Sequence, residues 1–250
     1  MTALSTDIKG ANPPPGSAPL ADRRVRARQL TVILTLLLIV TSVLSLTTGA
    51  SDASLWTALK DLAAGRELST MDRVVLLDIR LPRLCMGILV GAALALSGAV
   101  MQGLFRNPLA DPGIVGVGAG AGLGAIAAII FAGLLPASLV GNFSTHLVPI
   151  AAFLGGWGST LLLYRVATRG GQTSVATMLL AGIALGALAG ALSGIMVYLA
   201  DDRQLRDLTF WGLGSLAGAS WTKLFAATPL IALSFAASFY LGRGLNGLAL

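Results

Sequence analysis

Charge is what this chain has least of. Asp, Glu, Lys and Arg make up 11% of its residues, against 55% hydrophobic residues, and mean hydropathy is +0.83. A soluble domain carries about 25% charged residues, so this chain cannot cover a water-facing surface with polar groups. That excludes an ordinary globular domain and implies a polytopic membrane protein. A single cysteine, Cys85, excludes an internal disulfide and a cysteine-based metal cluster. A single histidine, His146, excludes a multi-histidine site. No GxxxxGK[ST] is present, so the chain does not bind nucleotide in the P-loop manner. Neither a cofactor nor a metal is expected. A net charge of +6 raises the question of nucleic acid. The basic residues flank apolar runs and form no stripe, so nucleic acid is not an expected partner.

Stretches with no charge at all are long: 29–51, 84–105, 112–164, 170–200 and 224–242. A helix crossing hydrocarbon needs about 20 residues. The stretch 112–164 is therefore two spans, split by the turn formers of LLPASLVGNFSTHLVP. The expected fold is all-α, with six transmembrane helices at about 29–47, 84–104, 113–134, 147–165, 175–199 and 223–241. Residues 1–28, proline-rich and polar, are expected as a disordered cytoplasmic tail ahead of a membrane domain over 29–250. The first apolar run is too long for a signal-peptide core, so no cleavage is expected.

Orientation follows from arginine. Alternating spans put 9 Lys and Arg on the side of the N-terminus and 8 on the other, which decides little. The first helix decides more: Arg23, Arg24, Arg26 and Arg28 crowd its N-terminal flank, and its other flank, TTGASDASLW, has none. The N-terminus is expected in the cytoplasm.

Inside the presumed spans there is no Asp, Glu, Lys or Arg. Gradient-coupled carriers generally need such groups, so an energy source in a partner protein is the better expectation. Small residues crowd the second and third spans. Gly87 and Gly91 form one GxxxG, and Gly116, Gly120 and Gly124 a double one. These are expected to let helix backbones approach closely in lipid. The run GVGAGAGLG fails the dinucleotide-loop spacing, and no strand precedes it.

One stretch carries a more specific pattern. Arg80-Leu81-Pro82-Arg83, then GAALALSGAVMQGLFRNPLADPGIVGVGAGA, followed by MLLAGIALGALAGA, LRDLTFWGLGSLAGASW and GRGLNGLAL in that order, closely resembles the FecCD/BtuC-type permeases of type II ABC importers. The haem-uptake branch is the nearest in feel. The resemblance implies a ten-helix subunit in the bacterial inner membrane, pairing with a second copy as a homodimer. It also implies ATPase subunits below, a periplasmic or lipoprotein substrate-binding protein above, and haem, an iron-siderophore or cobalamin as cargo. The subunit would be a transporter component and not itself an enzyme. By position, Arg80 and Arg83 fall where the family pairs arginines with carboxylates of the binding protein; the other reading is interfacial anchoring. Asn107 and Leu109 fall at part of the family's cytoplasmic gate, with the rest within Thr173, Ser174, Val175 and Ala176. The other reading of RNPLADP is a capped turn. His146 is either a solvated turn residue or a transient haem ligand, and Tyr198, Trp211 and Trp221 suit an interfacial belt. In the family the sequence after GRGLNGLAL leads into a coupling helix pair and four more spans. The resemblance therefore implies a truncated product, a gene-model fragment or one part of a split permease. A structural membrane subunit and a gradient-driven carrier stand as alternatives.

Overall fold

Residues 20–49, 54–134, 136 and 146–249 are described by the computed structural model, without the side chains of residues 20–23, 241 and 243–249. The expected tail over 1–19 and most of the expected turn at 135–146 lie outside these residues. Among the described residues, six helices are long and apolar enough to cross a membrane: Arg24–Thr47, Thr70–Phe105, Val117–Leu134, Leu147–Ala167, Val175–Leu199 and Trp221–Tyr240. The chain divides into two compact units, Met1–Leu84 and Cys85–Leu250.

In the first unit, α1 spans Leu20–Thr47. Its hydroxyls do not interrupt it. Thr31, Thr35, Thr41, Ser42 and Thr47 each donate to the carbonyl four residues back, at 2.6–3.0 Å. Polar side chains are thereby satisfied where lipid offers no partner. The helix begins at Leu20, so residues 20–28 are helical and not the unstructured end of a tail. ADRRVRARQL contains no Gly or Pro to stop a helix running back from the apolar core. A short helix, α2 (Leu55–Ala63), follows.

Helix α3 runs continuously over Thr70–Phe105. The expected span at 84–104 covered only its later part. RVVLLDIR, expected as loop because of its charges, is helical, and Arg73–Arg80 forms π-type turns before the α-helix of Leu81–Phe105. The start signal was present as S-x-x-D: the Ser69 hydroxyl accepts from Asp72 N–H at 3.0 Å and donates to the Asp72 carboxylate at 2.7 Å.

In the second unit, a 3-10 turn (Pro112–Val115) leads into α4 (Val117–Phe131). Then come α5 (Leu147–Ala167), a hairpin of β1 (Thr168–Arg169) and β2 (Gln172–Thr173), and α6 (Val175–Leu199). The hairpin is antiparallel, with Thr168 opposite Thr173. Its turn is Gly170-Gly171, φ +58° and +78°, the pair a two-residue primed turn demands. Helix α7 (Asp202–Leu213) occupies a segment expected as loop. Its capping box is complete: the Asp201 carboxylate accepts from Gln204 N–H at 2.8 Å, and the Gln204 carbonyl oxygen accepts from Asp201 N–H at 3.1 Å. Gln204 Nε2 also donates to Ile130 O near the end of α4, at 3.2 Å. The last helix, α8, spans Trp221–Ala249.

Helices α4, α5 and α6 form the tight centre. A Cβ on Gly124 would collide with the Ala151 carbonyl oxygen, and one on Gly155 with that of Gly120. One on Gly120 would lie 2.7 Å from the Gly155 carbonyl oxygen and 2.5 Å from Ser159 Cβ. Ser159 Oγ donates to Gly116 O at 3.1 Å across the same seam. Gly116 (φ +77°) opens α4, and its added Cβ would lie 2.9 Å from Gly182 O on α6. Backbone-to-backbone packing of this kind replaces the hydrophobic drive that lipid removes. Of the earlier pair, a Cβ on Gly87 would lie 3.4 Å from Leu216 Cδ1, whereas one on Gly91 would meet no described atom within 4 Å. Among the described residues Gly91 therefore faces open space. A GxxxG spacing puts two glycines on one helix face but does not say what faces them.

Candidate functional site

The arginine pair of Arg80-Leu81-Pro82-Arg83 divides in two. Arg80, the last residue of the π-type segment, is buried at 6% exposure. Its Nη1 donates to Leu46 O at 2.6 Å. Leu46 lies in the last turn of α1, where carbonyls have no partner within the helix. A cation there also suits the negative end of the helix dipole. Gly49 makes room, because a Cβ at that position would lie 2.5 Å from Arg80 Nη2. Arg80 Nη1 is thus engaged by α1, so a partner's carboxylate, as expected at this position, would meet the remaining guanidinium donors. Arg83 is half-buried, one turn farther along α3. Sequence reasoning missed Gly49 entirely; a glycine just past an apolar helix was the available signal.

At its other end α3 stops in a Schellman arrangement. Arg106 N–H bonds to Gly103 O at 3.3 Å and Asn107 N–H to Gln102 O at 3.2 Å. Arg106 takes the left-handed conformation, φ +49°, where glycine is usual. Two Asx turns follow: Asn107 Oδ1 accepts from Leu109 N–H at 2.9 Å, and Asp111 Oδ1 from Gly113 N–H at 2.6 Å. Ala110 is buried between them, while Leu109 is thrust outward at 85% exposure. RNPLADP is thus a rigid, doubly braced turn that presents one leucine.

The other expected gate segment is β2 and the start of α6. Thr173, Val175 and Ala176 are exposed. Ser174 is also exposed, and its hydroxyl caps α6 by accepting from Thr177 N–H at 3.3 Å. One apolar cluster ties the bases of both segments together. Val115, Leu163, Ala167 and Met178 are buried in it, with Met101 and Phe105 of α3 packed against them. The two segments therefore rise from one end of the helical unit.

Beside this cluster α3, the 3-10 turn, α4 and α8 enclose an open cavity of about 900 Å³. Its walls are mostly apolar, and Ser97, Gln102, Ser234 and Ser238 supply polar edges. Such a wall offers weak, dispersed contacts and no fixed charge beyond the Asp111 carboxylate, which already receives Gly113 N–H. His146 precedes α5 as its N-cap residue. Tyr198 and Trp211 are exposed, and Trp221 stacks on Phe225 with ring centroids 5.8 Å apart. Among the described residues no three His, Cys, Asp or Glu side chains gather as metal ligands would.

This arrangement has close parallels. Residues 37–250 match the FecCD transport family. The chain is 38% identical over 232 residues to the hemin transport system permease protein HmuU of Yersinia pestis, covering 91% of this chain and 65% of that protein. It is 42% identical over 174 residues to the cobalamin import system permease protein BtuC of Halobacterium salinarum, covering 70% of this chain and 44% of that one. The vitamin B12 import system permease protein BtuC of Klebsiella pneumoniae is 40% identical over 207 residues, 82% of this chain and 57% of its own length. The chain thus spans about half to two thirds of the length of these relatives. Among solved structures, an inward-facing metal-chelate type ABC transporter superposes with a TM-score of 0.72 at 32% identity, over 89% of this chain and 65% of that one. With its all-α, polytopic architecture and this run of matches, the chain belongs to the FecCD transport family.

Proposed function

We propose that this chain forms the membrane pathway of an ATP-driven importer of metal chelates, with haem or an iron-siderophore as cargo. The observation that carries the reading is its similarity to a hemin permease through nine tenths of its length. The chemistry of the spans supports it. They hold no Asp, Glu, Lys, Arg or His over 84–105, 117–134, 147–164, 175–199 and 224–242, so these stretches offer none of the groups that proton- or sodium-coupled carriers generally use. A wall of small and apolar residues suits a bulky cargo that must not be gripped. Cobalamin is the second reading, favoured by the two cobalamin permeases at 40–42% identity.

In this reading the subunit pairs with a second copy, works with a separate ATPase chain and receives cargo from a substrate-binding protein. It resides in the bacterial inner membrane with its N-terminus inside. Arg83 is the docking arginine, and Asn107 and Leu109, with Thr173 to Ala176, form the cytoplasmic gate. Proteoliposomes holding the whole transporter, with ATP sealed inside and the substrate-binding protein outside, test the class: uptake of iron-labelled haem should require ATP and survive an ionophore, and uptake driven by a gradient alone overturns it. Deleting the chain in its host and comparing labelled haem with labelled cobalamin separates the cargoes. Impermeant thiol labelling tests orientation: a cysteine at position 24 that reacts from outside intact cells reverses the topology.

A further inference from the structure

Helix α2 (Leu55–Ala63) has no role in the transport reading, yet its surface is sharply two-sided. Trp56, Leu59 and Leu62 recur every third residue and share one face. They are 65%, 48% and 58% exposed. Ala58 alone is buried, on the side turned toward the protein. Thr57 and Asp61, four apart, lie away from the apolar face, and Asp61 pairs with Arg66 Nη2 at 3.1 Å. A nine-residue helix with an aromatic-aliphatic face left open needs an occupant for that face.

Within the same unit, the surroundings name the occupant. Arg80 bonds to Leu46 O, so the end of α1 and the start of the α-helical part of α3 are pinned together. The connection between them, α2 included, must start and finish at one level, where two membrane-spanning helices leave the hydrocarbon. Helix α1 exposes its apolar side chains along its length up to that level, Val43 and Leu44 among them, as a lipid-facing helix does. Tryptophan is enriched at that depth, and Lys60, four residues from Trp56, adds a cation suited to phosphate headgroups.

We propose that α2 lies in the bilayer interface, with Trp56, Leu59 and Leu62 seated among the headgroups and upper acyl chains and Thr57 and Asp61 turned to water. The lipid surface is thus its partner, and α2 steadies the connection that Arg80 closes.

Site-directed spin labelling of the protein in phosphatidylcholine–phosphatidylglycerol liposomes tests this. Cys85 is the only cysteine, so Cys85→Ser gives a clean background for Leu59→Cys and Thr57→Cys. The label at 59 should favour collisions with lipid-soluble oxygen over a water-soluble nickel chelate several-fold more than the label at 57. Equal, water-like accessibility at both positions overturns the proposal. So does a label at 59 that is water-accessible until a substrate-binding protein is added, which would make the face a protein-docking surface. Should the labelled variants misfold, a variant that keeps Trp56 as its one tryptophan (Trp157→Phe, Trp211→Phe, Trp221→Phe) provides the second measurement. Lipids brominated near the headgroup should quench its fluorescence, and absence of quenching overturns the proposal as well.

Discussion

Replacing Arg80 with alanine separates a clamp from a docking residue. The guanidinium of Arg80 is buried and donates to Leu46 O at 2.6 Å. A hydrogen bond from a charged donor contributes about 1.5–3 kcal/mol. Water at the membrane surface can reach the vacated carbonyl, which puts the loss in the lower half of that range, about 1.5–2 kcal/mol. The loss is local, because the bond joins only the last turn of α1 to α3. It should appear as easier opening of that turn, whose final amide is Thr48 N–H on Leu44 O at 2.8 Å. At about 1.4 kcal/mol per tenfold, hydrogen exchange over residues 43–49 should quicken roughly 10- to 30-fold in liposomes. Exchange in α5 should stay as it was. Arg80→Lys keeps a charge but loses the planar fork and should recover part of the protection. Gly49→Ala should act in the same direction but less strongly, because the atom its Cβ meets is the movable end of the arginine. Unchanged exchange in Arg80→Ala, or the same acceleration in Arg83→Ala, would refute the clamp.

Other perturbations follow from the same geometry. Gly124→Val puts a side chain into the Ala151 carbonyl, which backbone rigidity keeps from yielding; thermal stability in detergent should fall by about 1–3 kcal/mol, while Gly91→Ala should leave it unchanged. Arg106→Gly relieves a left-handed residue at φ +49° and should raise stability by about 1 kcal/mol, read by the same melt. Asn107→Ala removes the acceptor for Leu109 N–H and should lower stability by about 1 kcal/mol. Arg83→Glu should weaken association with the substrate-binding protein at least about tenfold, given couplings of roughly 1.5–7 kcal/mol for close interfacial charge pairs, with exchange over residues 43–49 unaltered. Equal affinity in that variant removes Arg83 from docking.

The six spans were legible because lipid imposes one crude requirement, a long run without charge, and the chain meets it six times. The ends of those spans were less legible. Arg73, Asp78 and Arg80 made RVVLLDIR look like a loop, yet a helix rising out of the bilayer may carry charge wherever water, or another helix end, receives it. The same bias hid α7, whose Asp201–Gln204 capping box was readable but sat in a stretch counted as connection. Local signals of this kind decide boundaries, whereas hydropathy decides only that something crosses.

The site divides along a similar line. That RNPLADP is a braced turn follows from side-chain chemistry at fixed offsets, since Asn and Asp each reach the amide two residues on. That Arg80 is buried does not follow from any local pattern. Two arginines three apart on one helix look alike in sequence, yet a distant glycine, Gly49, leaves the space that the Arg80 guanidinium fills. The glycine seam makes the same point. Gly120 and Gly124 announced a close approach, and Ala151, Gly155 and Ser159 on the facing helix repeat at the same four-residue spacing, yet neither stretch says which two helices pair. A small residue is a permission, and the structure decides which neighbour uses it. The substitutions that discriminate here are therefore those at the permitting positions: adding an apolar side chain at Gly49 or Gly124 tests a contact directly, with no charge changed and no hydrogen-bonding group removed.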